Sequence, residues 1–443
     1  MKFIRALYFN NRFFQGVILL VLAFITSFIF DLPTWLAKGL SLILFTVLLV
    51  DLLILFRIKK GIRAHRFTPE KLSNGDDNEL RIFMESTYPF PVTLNIIDEI
   101  PHQFQRRDMS FQYALMPGEN KTIHYFLRPV KRGEYSFGAV NIFVSSPLGL
   151  IARRYQFSQD KMVPVYPSYL QMRKYELMAI SNRLTDTGIK KIRRIGQNME
   201  FELIREYVPG DDYRTINWKA SARKSHLMVN NYQDERSQQV YSLIDKGRSM
   251  QMPFNGMSLL DYAINASLVI SNIALKKSDK AGVITFQHKI GTTLPASNRN
   301  HQMGQILEIL YNQKTAFKES DFSALFSHVR RKISQRSLLL LFTNFESIYG
   351  VERQLPFLKS LAKYHLLVVI FFQNTELNEV LTQPAGTLNQ IYIKAIAEKF
   401  ALDKKIIAKE LQKNGIHSLL TTPEQLSVDT INKYLELKSR GLI

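Results

Sequence analysis

Cysteine is missing from all 443 residues, which removes disulfides, thiolate nucleophiles and zinc–thiolate sites together. A Gly-Lys-Ser/Thr phosphate loop and a Gly-x-Gly-x-x-Gly turn are missing too, so no phosphate cradle is legible. The nine histidines contain no His-x-x-x-His pair, and Ser221 stands in Ala-Ser-Ala without the glycines of a nucleophile elbow. No catalytic residue is assigned on this basis. Acidic side chains are also short, 38 against 58 Lys and Arg, for a formal charge of +20. That excess fits either nucleic acid or an anionic membrane surface, and its placement has to decide.

What is present is a foldable chain, 46% hydrophobic and 22% charged, long enough for two or three domains. Phe13 to Phe30 is eighteen residues without a charge; Gly39 to Phe56 is eighteen more, interrupted only by Asp51. At the helical rise each covers roughly 27 Å, close to the thickness of a bilayer core. A cleaved signal peptide would have a shorter apolar run, a small-residue cleavage site and no second span. Asp51 is expected to be an interfacial or hairpin-paired carboxylate. Lys2, Arg5 and Arg12 precede the pair; Arg57, Lys59, Lys60, Arg63 and Arg66 follow it. Asp31 and Lys38 hold the turn between. By the positive-inside rule both ends, and the body behind them, face the cytoplasm, with lipid contact through the hairpin.

Residues 61–166 alternate in short runs such as Leu80–Met84, Val92–Ile97, Thr122–Leu127 and Val140–Val144. Turns at Asn74-Gly75, Pro117-Gly118 and Arg132-Gly133 separate them, which predicts an antiparallel, immunoglobulin-like β-sandwich. Gln103 to Lys174 carries eleven basic residues against four acidic, an ordinary solvated face or a surface for anionic headgroups. The run Lys190–Arg194 invites nucleic acid, but Asp186 to Arg236 holds ten basic and eight acidic residues, so no one-signed field exists and no nucleic acid is expected. From Gln239 onward strands and helices alternate: Gln239–Ile244, Ser258–Lys277, Gly282–Phe286, Lys289–Leu294, Ser337–Phe342, His365–Phe372 and Ile416–Leu420, with helices between. This predicts a doubly wound α/β domain with its ligand edge at the strand C-termini.

The most distinctive stretch is Arg205-Glu-Tyr207-Val-Pro209-Gly210-Asp211-Asp212-Tyr-Arg214-Thr-Ile-Asn-Trp218-Lys219-Ala-Ser221-Ala-Arg223. Pro209-Gly210 suits a turn, and the carboxylates after it can accept backbone N–H groups or pair with Arg205, Arg214, Lys219 or Arg223. An ion-paired structural loop is preferred here to a carboxylate dyad for metal or acid–base work. Trp218, one of two tryptophans, is expected to pack the segment onto the α/β domain, so that Trp218→Ala would cost about 3–5 kcal/mol.

This stretch resembles the signature of the bacterial DUF 58 family. Lys131-Arg-Gly-Glu-Tyr-Ser-Phe-Gly138 and Ser146-Pro-Leu-Gly-Leu150 resemble its upstream part, and Thr422-Pro-Glu-Gln-Leu426 with Tyr434–Leu442 its close. The resemblance implies a von Willebrand factor A-like domain at 238–443, a linker with the signature at 167–237, the sandwich at 61–166 and two transmembrane helices at 1–60. It implies partnership with a MoxR-type AAA+ ATPase, for which the chain would be a membrane adaptor or scaffold. Such domains often hold Mg²⁺; by position Asp245 and Ser249 match, but Gly247 and Asn344 replace a serine and an aspartate, and the threonine slot falls near Ser320 or Asp321. A degenerate site and no bound cofactor are therefore expected, and Gly247→Ser with Asn344→Asp should restore binding. The alternatives are a metal-dependent enzyme using Asp211, Asp212 and Asp245, or a basic lipid- or nucleic-acid-binding module.

Overall fold

A computed structural model describes every residue except 1, 32, 107–108, 159, 181–198, 210, 212, 235–236, 316, 375–380, 383, 385 and 443. The chain divides into two compact units, 1–166 and 167–443.

The first unit opens with α1 (Lys2–Ala6) and β1 (Leu7–Phe9), then α2 (Asn11–Ile29) and α3 (Thr34–Arg57). The last two helices are long and apolar enough to cross a membrane. Behind them come three sheets around one core. The largest runs β1–β10–β9–β5–β6, with β5 (Val92–Asp98), β6 (Ser110–Leu115), β9 (Val140–Ser145) and β10 (Ile151–Phe157). A second joins β2 (Ile62–Phe67), β4 (Asn78–Ser86) and β7 (Asn120–Leu127). The third joins β3 (Leu72–Ser73), β11 (Lys161–Tyr166) and β8 (Gly133–Phe137). Alternation explains the strands: in β4, Leu80, Ile82 and Met84 are buried while Glu79 and Arg81 are exposed. The antiparallel expectation fails at one place, where β3 and β11 pair in parallel. The Asn78 side chain makes that possible by accepting from Ser73 N and donating to Ser73 O, tying down a strand of two residues.

The helical pair is not separate from the β-structure. Leu55 is fully buried in the sheet core, with Leu48, Leu52 and Phe56 packed beside it, so the last turns of α3 belong to the β-rich domain. Asp51 is completely buried there. It accepts from Leu150 N and Ile151 N at 3.0 Å each, and from the Ser146 hydroxyl. This differs from the expected interfacial or hairpin partner: the donors come from the Ser146–Leu150 loop, which only the fold brings to residue 51. Arg12 donates to the Pro147 and Leu148 carbonyls of the same loop at 3.2 Å, and Asn10 Nδ2 donates to Ser145 Oγ at 2.9 Å. Gly149 takes φ +69°, which lets the loop turn back against Arg12. Arg153 donates to the Leu55, Ile58 and Lys59 carbonyls, closing the C-terminal end of α3.

In the second unit α4 (Tyr169–Ile180) is followed by the hairpin β12 (Met199–Glu206) and β13 (Met228–Asp234), with α5 (Trp218–Lys224) between them. Then comes a six-stranded sheet. Its members are β14 (Gln239–Asp245), β17 (Lys280–Phe286), β18 (Ile290–Ser297), β19 (Leu338–Phe342), β20 (Leu366–Phe372) and β21 (His417–Thr421), after the short pair β15 (Pro253–Phe254) and β16 (Met257–Ser258). Its order is β18–β17–β14–β19–β20–β21, parallel except for the edge strand β18. The helices are α6 (Leu259–Lys276), α7 (Gln302–Tyr311), α8 (Phe322–Lys332), α9 (Ile348–Tyr364), α10 (Leu388–Lys413) and α11 (Leu426–Ser439). One face packs α4, α6, α7 and α11, the other α8, α9 and α10, which makes the sheet doubly wound as its run of apolar strands predicts. Ser258 starts α6 with a capping box, its hydroxyl accepting from Asp261 N. The order reverses between β14 and β19, and that crevice is where such sheets bind ligands.

Candidate functional site: a signature hairpin and the sheet edge

Two places collect the residues singled out above. In the signature, Val208 and Asp211 are joined twice: Asp211 N donates to Val208 O, and the Asp211 carboxylate accepts Val208 N at 2.9 Å. Arg205 grips that carboxylate with two bonds, 2.8 and 2.6 Å. The Arg205 guanidinium, then the Val208 amide, hold the Asp211 carboxyl below the usual carboxylate range. Asp211 is thus an ion-paired structural carboxylate. Gly210 and Asp212, expected to act beside it, lie outside the described residues. Tyr207 continues the ladder through its N–H to Leu227 O, and Pro209 is exposed. Asn217 caps α5 by accepting from Ala220 N and donates to Asn230 Oδ1 at 2.8 Å. Ser221 donates to Asn217 O and accepts from Met228 N at 2.8 Å, pinning the helix to β13.

Trp218 does not pack inward. It is 70% exposed, Tyr213 is 69% exposed, and Val208 and Leu227 are exposed beside them in sequence. The reason is geometric. A seven-residue helix has room for one inward face, and Ala220 and Ser221 take it, leaving Trp218, Lys219 and Arg223 outward. Arg214 lies over the Tyr213 ring at 5.7 Å. The hairpin therefore presents two large aromatics among cations, and the cost expected for Trp218→Ala does not apply.

At the sheet edge Asp245, the last residue of β14, is buried. Its Oδ1 accepts from Gly247 N at 2.8 Å and from the Ser320 hydroxyl, and its Oδ2 accepts from Thr343 Oγ1 at 2.7 Å. Burial pushes its carboxyl up against these three neutral donors. Beside it, Asn344 Nδ2 lies 3.4 Å from Ser249 O, and Asn344 Oδ1 accepts the Lys404 ammonium at 2.6 Å. Lys404 also donates to Phe345 O. Burial pulls Lys404 down to about 8, opposed by the charge of Glu346. Asp245, Arg248, Ser249, Ser320, Thr343 and Asn344 line a cavity of about 220 Å³. A second, about 350 Å³, opens on the far side of Asn344, with Lys404 and Phe400 in its wall.

For Mg²⁺, which favours six oxygens with charged ligands, this donor set is poor. Both oxygens of Asp245 serve protein donors, the Asn344 oxygen is held by an ammonium, and of the other two carboxylates in the wall Glu319 pairs with Arg353 while Glu346 is exposed. Among the described residues no group of three His, Asp or Glu side chains could hold a metal. Asp321 is committed elsewhere, capping α8 through Ala324 N. A Cβ at Gly247 would meet the Ser320 hydroxyl, so Gly247→Ser requires the Ser320 side chain to move off Asp245 before a serine there can act as a ligand. Lys246, next to Asp245, is buried and donates to Gln313 Oε1 at 3.0 Å. Lys404 and Thr343 were not foreseen. Lys404 sits in a helix rich in lysine, where nothing local distinguishes it from a solvated one.

The other motifs are structural. Tyr135 of the 131–138 motif is buried and donates to Lys131 O at 2.9 Å, and Gly138 O accepts from Arg66, whose guanidinium pairs with Asp98 inside the core at 2.5 Å. In the closing motif Tyr434 OH and Lys438 both donate to Asp279.

Fold and site together define a chain in which an apolar helical pair is built into a β-rich unit, and a doubly wound α/β domain carries an exposed hairpin ahead of its first strand. Residues 203–379, from within β12 to beyond β20, match the family described as Protein of unknown function DUF58. The chain is similar to the uncharacterized protein YeaD of Bacillus subtilis, 27% identical over 52% of this chain and 60% of that one. It is also similar to the uncharacterized protein Rv1480 of Mycobacterium tuberculosis, 24% identical over 32% of this chain and 45% of the relative. It thus spans about half to three fifths of these relatives. Among solved structures, the conserved hypothetical protein BatB from Bacteroides thetaiotaomicron aligns at TM-score 0.32 and 14% identity, over 46% of this chain and 100% of that one. A mussel byssus protein, proximal thread matrix protein 1, aligns at 0.26 and 12%, over 46% and 47%. These structural likenesses are distant and lend nothing to the site.

Proposed function

We propose that this chain is a membrane-anchored, cytoplasm-facing interaction protein of the DUF58 type, with an immunoglobulin-like β-domain, a von Willebrand factor A-like domain and a bacterial inner-membrane location. Its role in this reading is adaptor or scaffold for a MoxR-type AAA+ ATPase acting on envelope or membrane complexes, without catalysis or tightly held Mg²⁺ of its own. The observation that carries it is the exposure of Trp218 and Tyr213 beside Arg214, Lys219 and Arg223 on a hairpin braced from below by Arg205–Asp211 and Ser221. Tryptophan, tyrosine and arginine are the residues that dominate binding energy at protein interfaces, and a braced hairpin presents them at little entropic cost. The neutral, protein-satisfied surroundings of Asp245 support the metal-free part of the reading, and the basic flanks of the helical pair support its orientation.

The test is photo-cross-linking of the full chain in native membranes from a probe at position 219, with partners identified by mass spectrometry. An AAA+ ATPase should be captured, and Trp218→Ala with Tyr213→Ala should abolish capture while thermal unfolding stays put. Capture that ignores both substitutions, or contains no such ATPase, refutes the reading.

A further inference from the structure

The 350 Å³ cavity at the C-terminal edge of β19 and β20 has no role in the interaction just proposed, and its chemistry is specific. Phe254, Leu259, Phe372 and Phe400 give it apolar walls. One cation, Lys404, stands in the wall, supplied by α10 from the face opposite α6. Two of its three protons go to Asn344 Oδ1 and Phe345 O; no third hydrogen-bond acceptor is found among the described residues, and the ammonium lies 6.0 Å from the centre of the Phe371 ring. The ammonium is held by fixed acceptors, so a ligand meets a charge already in place. Glu346, exposed, lines this cavity, and Asp245 and Glu319 line the neighbouring one on the other side of Asn344.

We propose that this cavity is a binding site for a small apolar monocarboxylic acid, its carboxylate received by Lys404 and its apolar body lying against Phe254, Phe372 and Phe400. The size fits: at about 30 Å³ per water-sized atom the space takes roughly a dozen non-hydrogen atoms, the scale of a medium-chain fatty acid. The single cation favours one negative charge, because Glu346 in the lining repels a second. Asn344 has a defined part in this. An aspartate at 344 would neutralise Lys404 in place, whereas the amide oxygen orients the ammonium and leaves its charge for a ligand. A tethered ammonium thus supplies the positive charge at this cavity, and recognition needs no metal.

The experiment is equilibrium dialysis of radiolabelled octanoate against the full chain in phosphatidylcholine nanodiscs, with empty nanodiscs subtracted. Saturable binding at one site is expected, unchanged by EDTA, with octanamide about tenfold or more weaker as a competitor. Lys404→Gln should weaken binding about tenfold or more, and Lys404→Arg by less. Ala401→Phe, which fills the wall beside Lys404 without touching its charge, should abolish binding; circular dichroism and thermal unfolding verify that each variant is folded. The proposal is overturned by no saturable octanoate binding, by equal competition from octanamide, by loss of binding in EDTA, or by full affinity in Lys404→Gln. Binding confined to an acetylated peptide ending in a free leucine carboxylate would assign the cavity to a chain terminus and overturn the free acid as ligand.

Discussion

Asp51 gives the sharpest test of how the helical pair is joined to the β-rich domain. Its carboxylate is fully buried and accepts three neutral donors, Leu150 N, Ile151 N and the Ser146 hydroxyl. Replacing it with alanine leaves two backbone N–H groups without an acceptor, at about 1–3 kcal/mol each. Removing a buried charge returns part of that, so Asp51→Ala should destabilise the junction by about 2–4 kcal/mol. Asp51→Asn behaves differently. Both backbone donors go to Oδ2, so an amide oxygen there serves both, while the amide N–H₂ faces Ser146, whose hydroxyl already accepts Leu148 N and Gly149 N. The two backbone bonds survive and the hydroxyl bond is given up, so the cost should be about 1 kcal/mol. Hydrogen exchange of the Leu150 and Ile151 amides in nanodiscs reads this directly. Protection should fall roughly 30- to 900-fold in the alanine variant and by about sixfold in the asparagine variant. If asparagine proves as damaging as alanine, the charge matters rather than the acceptors; if alanine leaves protection unchanged, the loop is held by something other than Asp51. Either result refutes the reasoning.

Trp218→Ala should change stability by less than about 0.5 kcal/mol, because an exposed side chain makes no core, and chemical denaturation of the full chain checks it. Lys404 should be acylated first by limiting N-hydroxysuccinimide acetate at pH 8, where about half of it is free amine against under 1% of an ordinary lysine; peptide mapping that finds it among the slowest lysines refutes its depressed pKa. Since folding lowers this pKa, the unfolded chain holds the extra proton between about pH 8 and 10.5, so the residue's contribution to stability rises across that window and is flat below it. Isothermal titration with Mg²⁺ should give no sub-millimolar binding, and Asn344→Asp alone should not create it while Lys404 pairs with the new carboxylate. Reporter fusions at the N-terminus and after Phe67 should both read cytoplasmic and one in the 31–36 turn should not; a periplasmic reading after Phe67 removes the ATPase proposal as well.

Much of the architecture was legible because it follows from local pattern. Two uncharged runs near the N-terminus, period-two alternation in β4 and apolar runs such as Leu338–Phe342 each force one kind of element. The doubly wound order follows from strands alternating with helices, and the Arg205–Asp211 pair from a turn that returns the chain within six residues. What the sequence could not decide is whatever depends on distant segments meeting. Trp218 reads as a core residue by type, yet a two-turn helix on a single strand has no second face to bury it. Asp51 reads as a charge in a membrane span, and only the packing of α3 on the β-core supplies its donors from 95 to 100 residues away. Lys404 reads as one lysine among several in α10, and becomes a half-buried, hydrogen-bonded cation because the crossover over the sheet sets α10 beside the turn that follows β19. Pattern determines which elements form and which face is apolar; the environment of a charge is a property of the assembled surface around it, and that exists only in three dimensions.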